Sequence, residues 1–342
     1  MNTSSNAGKK KAVLISGCDT GFGKTLVEKL SKRNDFVVLA GCFTKEGIEQ
    51  YRGNDNVVAI PLDVTSDKSV AEAKQMVDDA LGKKKAYLFG LVNNAGILTR
   101  PGPTEWQDVN NYERMMAVNL YGVVRLTNAF LPLIRRSQGR IVIVASIAGR
   151  VGLSNNSAYC ASKYAVSGYA EVLRRDVIPW KVAVSVVEPG IFGQTGLYKN
   201  WQTGLDETWK TLDAGLREDY GEKYYQYQRG LLGYAKKTLS NPDPDIVPEA
   251  ILEALTCDKP QRRYRVGRDS NTLFRLLPLL PDHVVDFLLT RNPGWLPAAV
   301  QQQATGSEIY ANDATGSIVA GALLGLSVVG TATVVRGLLS RL

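Results

Sequence analysis

Six short apolar runs recur through the first 190 residues with helical or turn-rich stretches between them. They are KAVLISG (11–17), FVVLAGC (36–42), NVVAIPLDV (56–64), YLFGLVNNAG (87–96), GRIVIVAS (139–146) and VAVSVVEPG (182–190). Near-continuous apolar runs of this length read as strands buried on both faces. The intervening stretches read as helices: about Lys24 to Ser31, 66–81 behind the cap candidate Ser66, Asn110 to Arg136, and Ala158 to Val177. Strand–helix alternation with right-handed crossovers predicts an α/β fold, a doubly wound parallel sheet with helices on both faces. Such sheets bind ligands at the carboxyl ends of their strands, where the strand order reverses. A further helix at 245–255 and a short last strand at 262–267 complete the pattern.

The first run opens into SGCDTGFGKT, residues 16–25, and two templates compete for it. A phosphoryl-transfer loop, G-x-x-x-x-G-K-[ST], would end on Gly23, Lys24 and Thr25, but its first glycine falls one residue early, at Gly17, and Cys18 stands in its place. The pattern [TS]-G-x-x-x-G-x-G fits Ser16, Gly17, Gly21 and Gly23 without a gap. A turn of this kind, between a buried strand and a helix, aims free backbone N–H groups and the helix dipole at a phosphate. Tight-turn geometry alone is the bland alternative, and Lys24 and Thr25 are then first-turn helix residues.

Composition narrows the chemistry. The single histidine, His283, argues against a His-rich metal site and against a Ser-His-Asp triad, and reads as a surface or packing residue. Cys18, Cys42, Cys160 and Cys257 form no C-x-x-C pair and read as small buried thiols in a reducing compartment. The net charge of +8 comes without a zinc-finger spacing or a basic heptad helix, so no nucleic-acid partner is expected.

Ser146 closes the fifth run, at the ligand edge of the sheet, and Tyr159 and Lys163 stand four apart on the next helix, on one face. A tyrosine phenol ordinarily titrates near 10, and a neighbouring ammonium together with a cationic nicotinamide favours its phenolate. Tyr159 then takes an alcohol proton as hydride leaves for the nicotinamide, while Ser146 holds the substrate oxygen. Local hydrogen bonding is the alternative for Tyr159 and Ser146.

Together with SGCDTGFG, LDV, NNAG, VNLYG, VASIAG, YCASK and VEPG, this cluster resembles the short-chain dehydrogenase/reductase family over about residues 11–300. The resemblance implies a Rossmann-like fold and hydride rather than phosphoryl transfer. It implies a cofactor turn of Gly17, Asp19, Thr20, Gly21, Phe22 and Gly23. Asp63, with Val64, is implied to meet the adenine, and the NNAG strand, with Asn93, Ala95 and Gly96, to support the middle of the cofactor. Pro189 and Gly190 lead into a cover over the carboxamide. Asn119 is implied to kink its helix and hold a water in a proton relay through Lys163. Relatives often carry threonine four residues past the glycine, where this chain has Gln194 followed by Thr195. Within the family the wording is similar to the branch of retinol dehydrogenases, hydroxysteroid dehydrogenases and the lipid-dependent hydroxybutyrate dehydrogenase.

The leading expectation is an NAD-dependent dehydrogenase for a lipophilic alcohol such as a retinoid or steroid, working as a homodimer. NAD is preferred, with NADP the alternative. Cys42, Phe43 and Thr44 at the end of the second strand offer no arginine to an extra phosphate, although no acid stands there and Lys45 is close. A hydroxybutyrate-type small hydroxy acid is the second expectation, with Arg100 and Arg150 as the cations for its carboxylate or as a solvated rim. A catalytically silent membrane-bound binding protein is the third.

Residues 1–8 read as a disordered, polar N-terminus without a signal peptide, and 9–267 as the dinucleotide-binding catalytic domain. Within it, 191–245 forms an aromatic-rich insertion covering the site. A C-terminal extension (268–300) and a polar linker (301–313) lead to an uncharged run, 314–335, bracketed by Asp313 and Arg336. At about 1.5 Å per residue this run is long enough to span a bilayer, and it reads as a membrane anchor. Arg268, Arg275 and the pairs Leu276–Leu277 and Leu279–Leu280 read as a basic, apolar apron near lipid. The enzyme is therefore expected on the cytosolic face of the endoplasmic reticulum. The peroxisome is the alternative, because the terminal Ser340-Arg341-Leu342 resembles an S-K-L address.

Overall fold

The computed structural model describes residues 8–290 and 297–303. The expectations for residues 1–7, most of the linker, the apolar run 314–335 and the terminal tripeptide lie outside the described residues. Seven strands form one sheet: β1 (Lys10–Ser16), β2 (Phe36–Cys42), β3 (Val57–Pro61), β4 (Ala86–Asn93), β5 (Arg140–Val144), β6 (Ala183–Pro189) and β7 (Arg263–Val266). All neighbours run parallel, in the order β3-β2-β1-β4-β5-β6-β7. The order reverses between β1 and β4, which opens a crevice above their carboxyl ends.

Period-two alternation sends successive residues of each strand to opposite faces. Ala12 and Leu14 of β1 join one core with Ala73, Val77, Leu126, Phe130 and Val166, whereas Val13 and Ile15 join a second with Leu26, Leu30, Val247 and Ile251. The first core lies under α3 (Asp67–Lys83), α4 (Val109–Ser137) and α5 (Ser157–Asp176), numbered after α1 (Gly21–Ser31) and α2 (Lys45–Glu49). The second lies under α1 and the late helix Ile246–Thr256. Phe130 is fully buried, and its truncation to alanine would cost about 3–5 kcal/mol. Among the described residues α4 is the one helix long and apolar enough to cross a membrane. Its apolarity is that of a core helix, since Leu126, Phe130 and Ile134 pack beneath the sheet.

The sequence-based boundaries shift in places for identifiable reasons. The third and fourth strands end at Pro61 and Asn93, short of 64 and 96, because the apolar wording continues past the last ladder hydrogen bond into the ligand-facing loops. Helix α1 begins at Gly21 rather than Lys24, so two of the three turn glycines lie in its first turn. Five residues are too few for periodicity to reveal α2, which Thr44 caps by accepting from Gly47 N–H at 2.9 Å. Ser66 does cap α3, accepting from Ser69 N–H at 3.2 Å. Inside α4 the turn Ala117–Gly122 is π-helical, with Asn119 at its centre.

The aromatic insertion folds as α6 (Gly196–Lys199), α7 (Trp201–Thr211) and α8 (Ala214–Tyr234), the last kinked at Gly221 (φ +76°). These helices close on Trp106, which meets the rings of Trp209 and Tyr220, each at 5.2 Å. Beyond β7, Leu277 is buried while Arg268, Arg275, Leu276 and Leu279 are exposed. His283 is exposed; Cys18, Cys42 and Cys160 are buried, and Cys257 is half-buried.

Candidate active site

The crevice between the ends of β1 and β4 holds a cavity of about 610 Å³. Its floor is the glycine turn, and close backbone packing shapes that turn. Gly17 has φ +71°, and a Cβ there would stand 2.9 Å from Ala95 Cα. Ser16 Oγ accepts from Asn94 N–H (3.1 Å) and Ala95 N–H (3.0 Å), and the Asn94 amide donates back to Ser16 O (2.9 Å) and Gly17 O (3.0 Å). A Cβ on Gly23 would collide with Gly17 O. The Thr20 side chain makes no capping bond to α1, so the first N–H groups of an 11-residue helix have no side-chain partner beside the cavity. This donor set fits a pyrophosphate. Lys24 and Thr25 do not line the cavity, which removes the phosphoryl-transfer reading.

Asp19 corrects the expectation that no acid stands at the end of the second strand. Its carboxylate accepts from Phe43 N–H (3.0 Å), Thr44 N–H (2.8 Å) and Thr44 Oγ (2.7 Å), which sets a negative charge at that end while lining the cavity. Asp63 lines the same wall, with Oδ1 held by Thr65 N–H and Thr65 Oγ at 2.8 and 2.7 Å. Val64, Ala95, Gly96, Pro189 and Gly190 also line it, with Thr20, Gly21 and Phe22.

Two expected cofactor residues, Asn93 and Gly23, are placed off the cavity wall, whereas Asn119 stands in the π-helical turn of α4, where a helix-kinking residue is expected. Asn93 ends β4 fully buried and turns its amide to Thr127 Oγ at 3.2 Å, away from the cavity; the next residue, Asn94, occupies the cleft. Gly23 lies beneath the turn rather than on the cavity wall. Asn119 sits behind the cleft, accepting from Ile97 N–H (2.9 Å) and donating to Ile97 O and Ser162 Oγ (both 3.0 Å).

Ser146, Tyr159 and Lys163 converge on the cavity, all three buried. Ser146 ends the segment after β5, and its Oγ accepts from Ala148 N–H at 3.1 Å. Burial pushes the Tyr159 phenol up to about 12, against the opposing pull of its hydrogen bond with Ser146. Burial also pushes the Lys163 ammonium down to about 8. The expected lowering of the phenol by lysine is therefore absent from the protein alone. Lys163 Nζ donates to Val144 O at 3.1 Å and stands 5.7 Å from the tyrosine ring centroid, and desolvation of the phenolate outweighs whatever pull it exerts.

Tyr198, from the insertion, lines the cavity as a second buried phenol, and burial with the nearby Tyr159 pushes its pKa well up. Thr195 faces the cavity, whereas Gln194 turns out to Asn241 O (2.8 Å). Arg150 pairs with Glu188 (3.0 Å) and Glu171 (3.6 Å), and Arg100 lies in a separate groove, so neither supplies a cation to the site. Among the described lining residues Lys163 is the only cation, and Ile97, Val118, Phe192 and Leu197 give the wall an apolar character.

Residues 11–206 match the model of the short chain dehydrogenase family. Human 17-beta-hydroxysteroid dehydrogenase type 6 is 39% identical over 288 residues, 82% of this chain and 88% of that protein. Retinol dehydrogenase 16 of Mus musculus is 38% identical over 284 residues, covering 82% and 87%. A solved short-chain dehydrogenase from Streptomyces avermitilis superposes with a TM-score of 0.62 at 26% identity, over 78% of this chain and 92% of that one. With the sheet order, the glycine turn and the buried Ser-Tyr-Lys cluster, these likenesses establish that the chain belongs to the short-chain dehydrogenase/reductase family.

Proposed function

We propose that the protein is an NAD-dependent oxidoreductase interconverting a lipophilic alcohol, of the retinoid or steroid class, and its carbonyl compound, with Tyr159 as the proton-exchanging group. One observation carries this reading. The Ser146, Tyr159 and Lys163 side chains meet on the wall of a cavity that is otherwise largely apolar and has no arginine among its described lining residues. The names of the similar hydroxysteroid and retinol dehydrogenases support the substrate class. Among the described lining residues the one cation is Lys163, which the proton-exchanging cluster uses, and no arginine stands there for a carboxylate, which disfavours the hydroxybutyrate reading.

Bound nicotinamide dinucleotide supplies the hydride acceptor. The α1 N-terminus and the Gly17–Gly21 turn would hold its pyrophosphate, Asp63 and Val64 its adenine, and Asn94, Ala95 and Gly96 its middle. Asp19 would accept a free ribose hydroxyl and repel a 2′-phosphate, which favours NAD over NADP. Ser146 Oγ holds the substrate oxygen. Tyr159 Oη takes the alcohol proton in oxidation and returns it in reduction. Because burial raises its pKa, the phenolate depends on positive charge gathered beside it. Lys163, with its pKa lowered to about 8, is mostly protonated near neutrality and contributes part of that charge. Asn119, bonded to Ile97 and Ser162 behind the lysine, keeps the π-turn open for a proton path to solvent.

The run 314–335 is assigned as a membrane anchor on the endoplasmic reticulum. Its uncharged sequence and the exposed Arg268, Arg275, Leu276 and Leu279 support this. Carbonate extraction of the full chain against one ending at Gln303 tests the anchor, and deleting residues 340–342 tests the peroxisomal alternative. Exposed Tyr121, Tyr164 and Val172 on the packed pair α4 and α5 support a homodimer. The function itself is tested by turnover with NAD and NADP on retinol, hydroxysteroids and hydroxybutyrate. Oxidation of retinoid or steroid with NAD is expected, and turnover of hydroxybutyrate alone would overturn the substrate class.

A further inference from the structure

We propose that Asp269 and Asn241 are a positioning pair that latches the loop 190–195 onto the fold, and so sets how tightly the nicotinamide end of the dinucleotide is held. The proposal rests on the reading of the cleft as a dinucleotide site. After β6 the chain leaves the sheet through Pro189 and Gly190, and Phe192 and Thr195 follow on the cavity wall. A loop at a strand end has no ladder to satisfy its backbone polar groups, so something else must.

Here two side chains do it. Asp269 Oδ2 accepts from Ile191 N–H at 2.8 Å. The Ile191 carbonyl accepts from Asn241 N–H (2.8 Å) and Asn241 Nδ2 (3.0 Å). The pair is locked together, because Asn241 Nδ2 also donates to Asp269 Oδ1 at 2.9 Å and Asn241 Oδ1 accepts from Arg268 N–H at 2.7 Å. Ser240 adds a second tie, its Oγ accepting from Gly193 N–H at 2.8 Å. Asn241 precedes the helix Ile246–Thr256 and Asp269 follows β7. The cavity wall is thus fixed by two segments that are distant in sequence and do not themselves line the cavity.

Two features mark this as more than loop packing. The Asp269 carboxylate is largely buried, and among the described residues it has no cationic partner within ion-pair distance. Holding a carboxylate out of water on N–H donors alone is costly unless the donors are well aimed, as these are. The carboxylate also fills the space beside Gly190, where any Cβ would collide with it. Gly190 therefore has its cavity on one side and the latch on the other, and a side chain there cannot coexist with Asp269 in this position.

The test uses the full chain and NADH itself, titrated by fluorescence, with steady-state kinetics in parallel. Asp269→Ala is expected to raise the NADH dissociation constant about tenfold or more while kcat at saturating cofactor changes less than about threefold, a split that general destabilisation does not produce. Asp269→Asn keeps an acceptor for Ile191 N–H but clashes with the Asn241 donor, so it should fall between. Gly190→Ala should weaken NADH about as much as Asp269→Ala, and the two together should cost little more than either, because both remove one latch. If Asp269→Ala does not fold, the Asn variant and Gly190→Ala carry the test. NADH affinity unchanged in folded Asp269 variants, or strictly additive effects with Gly190→Ala, overturns the latch while leaving the dinucleotide site standing. A wild-type chain that binds no NADH overturns both.

Discussion

Replacing Lys163 with methionine should stabilise the protein near pH 7 while abolishing its chemistry. The lysine is 4% exposed, and burial lowers its pKa from the ordinary 10.5 to about 8. That shift of about 2.5 units corresponds to about 3 kcal/mol at 1.36 kcal/mol per unit. Between about pH 8 and 10.5 the folded protein binds fewer protons at this site than the unfolded chain, so stability rises with pH across that window. Below about pH 8 both states are protonated and the full penalty is present. Methionine fits a buried site without a charge, and losing the Nζ bond to Val144 O costs about 1 kcal/mol in return. The net expectation at pH 7 is a gain of about 2 kcal/mol, or roughly 4 °C in Tm for a domain of this size. The assay is thermal unfolding of both proteins without cofactor at pH 7 and pH 10, with turnover measured alongside. The Met variant should melt higher at pH 7, and its advantage should shrink at pH 10. A variant that melts lower at pH 7, or a difference that does not change with pH, would refute the reasoning.

Asp19→Asn removes the charge at the end of β2 but keeps an acceptor, and the NAD to NADP ratio of kcat/KM should fall by about tenfold or more, equivalent to about 1.4 kcal/mol; an unchanged ratio would assign the selectivity elsewhere. Gly23→Ala drives a methyl into Gly17 O, so dinucleotide affinity should drop about a hundredfold while the far-ultraviolet circular dichroism stays native. Ser66→Ala removes the cap of α3, far from the chemistry, and should cost about 1 kcal/mol in denaturant unfolding with kcat unchanged.

The sheet was legible because its strands are buried on both faces and therefore continuous in sequence, as β2 shows by matching 36–42 residue for residue. The Tyr159–Lys163 pair was legible because helical spacing puts both on one face. What escaped depends on contacts made through space. Asp19 reaches the end of β2 from 24 residues away, and no local pattern announces it. Asn93 and Asn94 are adjacent, yet strand alternation buries the first, and only the point where β4 stops frees the second for the cleft. Tyr198 reaches the cavity because the insertion folds back as helices over Trp106, a consequence of aromatic packing rather than periodicity. The raised phenol pKa is a matter of desolvation, which residue spacing does not report.

The central claim is that a chain with this buried cluster moves a proton through Tyr159 while hydride moves to or from a dinucleotide. The most direct measurement compares wild type and Tyr159→Phe in two assays on the same preparations: NADH binding by fluorescence, and turnover of retinol or a hydroxysteroid with NAD. Phenylalanine keeps the ring that lines the cavity and removes only the hydroxyl. Binding should stay within about threefold of wild type, while kcat falls by a factor of about 10² to 10⁴, the contribution expected of a positioned acid–base group. Comparable turnover in the two proteins would contradict the account.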